Sequence, residues 1–165
     1  MNYYKILNES ETHHKLKYHT GLNEDSLKFN PKGSCESGGI YFSREDILAF
    51  LSYGPYIRKV TLPEDAQVYE DPDSSPKKWK ADKVILGRKY KITPKVIKSL
   101  IDEGADVHAK EDWALGWASE YGHLEVVKVL LEAGAKVHAY EDSALRRASE
   151  YGHLEVVKVL EEYSL

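Results

Sequence analysis

Four histidines, His108, His123, His138 and His153, recur every fifteen residues in the second half of this 165-residue chain. Evenly spaced imidazoles raise the question of metal chemistry first. A zinc site needs three or four ligands converging on one point at about 2 Å. The interval of fifteen arises here because two different positions of one longer repeat both hold histidine, so the four rings are expected on successive structural units. His123 and His153 each follow a glycine, in a turn where a ring nitrogen bonds backbone. His13, His14, His19 and Cys35 in the first half match neither Cys-x-x-Cys nor His-x-x-x-His spacing. No metal site is expected. Cys35 is the sole cysteine, which permits no internal disulfide and fits a reducing compartment. No neighbouring base marks it as a nucleophile. The glycine-rich stretch GSCESGG (33–39) lacks the Lys-Ser/Thr ending of a phosphate loop. No catalytic residues and no cofactor are assigned on these grounds.

Recognition chemistry is the alternative, and it sits where the sequence varies. The thirteen residues ASEYGHLEVVKVL at 118–130 reappear letter for letter at 148–160. Just before them, Trp113, Gly116 and Trp117 become Ser143, Arg146 and Arg147, while the intervening Ala and Leu are kept. Trp and Arg are the side chains that dominate binding energetics, since each joins a large buried area to a directional polar group. The expected partner-binding set is therefore Trp113, Trp117, Arg146 and Arg147, with Glu120, Tyr121, Glu150 and Tyr151 around them. The competing reading has Trp113 and Trp117 filling space against the N-terminal half.

The elements that carry these residues follow from periodicity. Residues 111–140 align with 141–165 at a period of 30, and residues 93–110 supply the second half of an earlier copy. A fixed period of this size means stacked supersecondary units. Ala114, Leu115 and Ala118 predict a short helix ended by Gly122, because glycine adopts the left-handed conformation of a helix C-terminus without steric cost. Leu124, Val126, Val127, Val129, Leu130 and Leu131 give a wide apolar stripe on a second helix, ended by Gly134.

This pattern resembles the ankyrin repeat, in Leu115, Ala118, Gly122, His123, Val126, Val127, Leu130, Leu131, Gly134, Ala135 and Ala139. Two departures stand out. The Thr-Pro and His of the usual opening are replaced by Trp113, Ala114 and Gly116, then by Ser143, Ala144 and Arg146. The period is 30 where about 33 is usual, with the deficit between Gly134 and Ser143, so the β-hairpin fingers of the family are expected to shrink to tight loops. The wording of the repeat is similar to that of the short-repeat ankyrin proteins of giant amoebal viruses of the mimivirus type. The resemblance implies a rigid concave face that binds a protein partner. In the last copy Glu161 and Tyr163 replace Leu131 and Ala133, which places charge where a further repeat would pack and reads as a cap. The N-terminal half is expected to cap the other end.

Residues 1–92 are irregular, tyrosine-rich and punctuated by proline and glycine. GGIYF (38–42) reads as a strand, followed by Ser43 as an N-cap, Asp46 at the capping-box position and a short helix ended by Gly54. YIRKVTL (56–62), AQVYE (66–70) and KADKVILGRKYKI (80–92) read as further strands, for an α+β domain of about five strands. The stretch 18–50 also resembles ADP-ribosyltransferases of the diphtheria-toxin class. That resemblance would place His19 on the ribose of NAD and Tyr41 on its nicotinamide.

Composition bounds the rest. The chain is 42% hydrophobic and 30% charged with a formal net charge of −4, a soluble globular profile in which a nucleic-acid partner is not expected. No leader pattern and no run near eighteen apolar residues occurs, so neither secretion nor membrane spanning is expected. The resulting expectation is a monomeric, cytoplasmic, non-enzymatic interaction protein, in a host cell if viral: a small α+β domain at 1–92 and an all-α ankyrin-type stack at 93–165.

Overall fold

The computed structural model describes residues 1–32 and 36–164. Gly33, Ser34, Cys35 and Leu165 lie outside the described residues, Cys35 with its expected reduced state among them. The chain divides into two compact units, one of Met1–Ile47 with Tyr53–Ile92, the other of Leu48–Ser52 with Thr93–Leu165.

Among its described residues the first unit has nine strands: β1 (Tyr3–Leu7), β2 (Thr12–His13), β3 (Leu16–Lys17), β4 (Gly21–Glu24), β5 (Ile40–Phe42), β6 (Tyr56–Thr61), β7 (Val68–Glu70), β8 (Trp79–Ala81) and β9 (Lys83–Lys91). They form a four-stranded sheet in the order β1-β6-β9-β4, a three-stranded sheet β5-β8-β7 and the small pair β2-β3. All these pairings are antiparallel. The count exceeds the expected five because several strands run only two or three residues, too short for alternation to register. Leu7, Ile40, Phe42, Val60, Trp79, Val84 and Leu86 make the core, and Tyr3 sets its ring edge-on to both Phe42 and Trp79 at 5.2 and 5.3 Å.

The helix expected after β5 is a 3-10 helix, Glu45–Tyr53, and the expected capping box is not made. Ser43 donates its hydroxyl to the Lys77 carbonyl, and Asp46 accepts the Lys77 N–H at 2.7 Å, so the pair tethers the segment leading into β8. Gly54 ends the helix, where a Cβ would lie 2.2 Å from the Leu7 carbonyl oxygen. A buried charge network joins distant segments. Arg58 donates to Glu11 (2.7 Å), Thr20 and the Gly87 carbonyl, and Lys89 donates to the other Glu11 oxygen at 2.8 Å.

Among its described residues the second unit has five α-helices: α1 (Pro94–Asp102), α2 (Ala109–Glu120), α3 (Leu124–Glu132), α4 (Ala139–Glu150) and α5 (Leu154–Tyr163). Thr93 caps α1 by accepting from the Val96 N–H, with Pro94 in the first turn where no amide proton is needed. The apolar stripe of α3 buries Val126, Val127, Leu130 and Leu131. In α5 the corresponding positions bury Val156 and Leu160, while Glu161 is exposed.

The connections entering α2 and α4 differ from ordinary turns. Lys110, Glu111 and Asp112 hold φ of 54, 56 and 56°, and Tyr140, Glu141 and Asp142 hold 48, 54 and 56°. Left-handed backbone costs non-glycine residues about 1–2 kcal/mol each, so three in a row require compensation. Asp112 supplies it: its buried carboxylate accepts from His108 Nδ1 and from the Lys136 N–H in the loop that leads to α4, both at 3.0 Å. The His-Asp contact recurs as His138 and Asp142.

Gly122 and Gly152 occupy equivalent turns with similar φ, 66 and 74°. A Cβ on Gly122 would lie 2.5 Å from His153 Nδ1, whereas one on Gly152 would meet nothing within 4 Å. Both substitutions by alanine carry the left-handed penalty, but only the first also displaces the His153 ring. Gly122→Ala is expected to destabilise by about 1–3 kcal/mol more than Gly152→Ala, measured by urea unfolding followed by tryptophan fluorescence.

Candidate partner-binding surface

On α2, Trp113, Trp117 and Glu120 fall at helical spacings that share one face, with Tyr121 immediately after the helix. On α4, Arg146, Arg147 and Glu150 do the same, followed by Tyr151. These eight residues, together with Ser52 of the same unit, line one open depression of about 480 Å³. The packing letters between them, Ala114, Leu115, Ala118, Ala144 and Ala148, are buried and hold the two helices together.

The eight do not play one role. Arg147 pairs with Glu120 across the repeat boundary and lies 4.8 Å from the centroid of the Trp113 ring. Lys110 approaches the same ring at 4.3 Å. Trp113 is thus held between two cations, an arrangement that braces one repeat on the next. A second tie runs from the His153 ring, whose Nε2 lies 2.9 Å from the Glu120 carbonyl oxygen. Trp117 packs with Tyr121 and His123 at centroid distances of 5.8 and 5.1 Å. Partial desolvation first, then the charge of His153, lowers the His123 pKa and favours a neutral ring. Arg146 and Glu150 are exposed. Arg146 reaches the Glu141 carbonyl at 3.4 Å, and Glu150 has no hydrogen-bond or ion-pair partner through its side chain among the described residues.

Lys110, Asp112 and Ser52 join this assembly without having been singled out in the sequence. For Asp112 a signal existed: histidine followed four residues later by aspartate occurs at 108–112 and again at 138–142.

His19 and Tyr41 belong to the first unit and serve local contacts. The exposed His19 receives no help from Tyr41: its backbone N–H donates to Asn23, and its Nδ1 lies 3.1 Å from the Thr20 carbonyl oxygen. Tyr41 exchanges hydrogen bonds between its hydroxyl and the Glu36 backbone. Its ring is approached by Lys80 at 4.9 Å, Lys78 at 5.6 Å and His13 at 6.5 Å. Its carbonyl accepts from the buried Lys5 at 2.7 Å. Burial lowers the Lys5 pKa to about 7. His13 falls to about 4, through burial first and then the charges of Lys5 and His14. Cations crowding the ring of Tyr41 are poor company for a positively charged nicotinamide. Among the described residues no group of three His, Cys, Asp or Glu side chains is placed to hold a metal ion, and no helix is long and apolar enough to cross a membrane.

Stacked helix pairs repeating every thirty residues, tied across each boundary, define a helical repeat protein. Residues 89–164 match the family model for ankyrin repeats in three copies, and the chain belongs to the ankyrin-repeat family. It is 48% identical over 118 residues to a protein of Acanthamoeba polyphaga mimivirus named as ankyrin repeat protein R229, covering 67% of this chain and 38% of that one. It is 37% identical to ankyrin repeat protein R868 of the same virus, covering 75% of this chain and 63% of that one. The uncharacterized protein R869, also of mimivirus, is 37% identical across 75% of this chain and 93% of its own length. The chain therefore spans well under two thirds of R229 and slightly under two thirds of R868. All three matched stretches exceed the repeat segment, so the likeness continues into the strand-rich unit.

Two predictions follow from these contacts. Between pH 7 and 10.5 the unfolded chain keeps the Lys5 proton that the folded one has released, so this group makes stability rise with pH across that window. Lys5→Met should raise stability near pH 7, with an advantage that shrinks towards pH 10.5, as read by urea unfolding across that range. The pairing of Glu120 with Arg147, about one fifth exposed on each side, should give a coupling of about 1 kcal/mol in a double-mutant cycle with alanine.

Proposed function

We propose that the repeats form a recognition module that binds a protein partner in the depression between α2 and α4, as a monomer acting in the cytoplasm, where a viral ankyrin protein would meet host proteins. Ankyrin repeats are typically protein–protein interaction modules, with no chemistry of their own. The observation that carries this reading is the position of the differences between two otherwise identical copies. Trp113, Gly116 and Trp117 change to Ser143, Arg146 and Arg147, and four of those six residues, Trp113, Trp117, Arg146 and Arg147, line the depression.

The half-buried Trp117 and the exposed Tyr121 and Tyr151 offer apolar surface to a partner, whereas Trp113 is occupied by Lys110 and Arg147. Burying a tryptophan at the centre of an interface contributes about 2 kcal/mol or more. Affinity capture from host-cell lysate should therefore retain a partner on the parent chain and lose it on Trp117→Ala and on Tyr151→Ala, both checked for an unchanged melting temperature. Equal capture by all three chains would exclude the depression as the binding surface.

A further inference from the structure

In one copy of the repeat, the Ala-Ser-Glu-Tyr-Gly-His turn already holds a guanidinium. Glu120 of that turn pairs with Arg147, delivered by the following repeat, and the flat cation lies against the Trp113 ring. Thirty residues on, Glu150 occupies the same position on α4, exposed at the rim of the depression and with no side-chain partner among the described residues. We propose that the depression takes an arginine side chain of the partner protein and that Glu150 pairs with its guanidinium, as Glu120 pairs with Arg147. This assignment rests on the depression being the recognition surface.

Charge and shape favour this occupant over an acidic one. Arg147 is compensated by Glu120, which leaves Arg146 and Glu150 as the two open charges of the depression. Trp117, Tyr121 and Tyr151 line the same depression as Glu150. Their π faces attract a planar cation and repel a carboxylate. Arginine suits such a site better than lysine because its planar fork can stack on a ring and present two donors to one carboxylate at once. Arg146, one turn before Glu150 on α4, is the internal competitor. It is directed to the Glu141 carbonyl, and a cation placed N-terminal to an acid at this spacing pairs more weakly than the reverse order.

The test is selection of a random linear peptide library on the immobilised full chain, counter-selected on Trp117→Ala. The recovered peptides should share an arginine. Replacing that arginine by citrulline, which keeps the shape and removes the charge, should weaken binding at least tenfold, and so should Glu150→Gln. Glu150 is exposed and unpaired, so this variant should melt with the parent. Arg146→Ala should bind the same peptides at least as tightly. Trp117-dependent peptides that lack arginine, or that bind Glu150→Gln as well as the parent, would overturn the arginine assignment and leave the surface reading standing. Loss of binding on Arg146→Ala would move the charge contact to Arg146 and overturn it too. Failure to recover any Trp117-dependent peptide would overturn the assignment and the surface together.

Discussion

A single buried carboxylate allows the repeats to be as short as they are. Asp112 closes the left-handed turn through His108, at the end of the preceding copy, and accepts from the Lys136 amide in the loop that leads to α4. An unsatisfied buried carboxylate would cost several kcal/mol, and the strained backbone at Lys110–Asp112 would have nothing to hold it. With both contacts made, the chain passes from one helix pair to the next without a projecting hairpin.

Ties of this kind divide the variable positions into two groups. The packing residues of α2 and α4 are shared, so the two helices approach at one fixed distance. Against that background, Trp113 and Arg147 differ between copies yet hold each other, so variation there changes the brace. Trp117 and Arg146 lie beyond the brace, where a change alters what the surface presents. Sequence difference marks both groups alike. Only the pairing of Arg147 with Glu120 separates them.

Legibility of the fold follows the range of the interactions. The apolar stripe at Leu124–Leu131 and the glycines at 122 and 134 are local signals, and the helices and turns they predict are present. The N-terminal unit was read less well for the same reason. Glu11 meets Arg58 across 47 residues and Lys89 across 78, separations that leave no pattern in either neighbourhood. Ser43 and Asp46 had the local wording of a capping box, but Lys77 offered both a carbonyl and an N–H from across the unit and took both side chains. Tertiary partners outweighed the local signal there.

The surface was legible through comparison of the copies, a source of information that the N-terminal unit lacks. Two copies differing at a few positions act as an internal comparison: the buried Ala and Leu of the first helix are kept, and Trp113, Trp117, Arg146 and Arg147 at the changed positions line one depression. Tyr41 has no second copy to be compared with. Its Gly-Ile-Tyr-Phe context suited both a buried strand and a cofactor site. The structure places its carbonyl on Lys5 and gathers Lys78, Lys80 and His13 around its ring. The carbonyl offsets part of the cost of burying Lys5, and the contact of the ring with Lys80, its register partner on β8, gives Tyr41 a part in holding the small β5-β8-β7 sheet together.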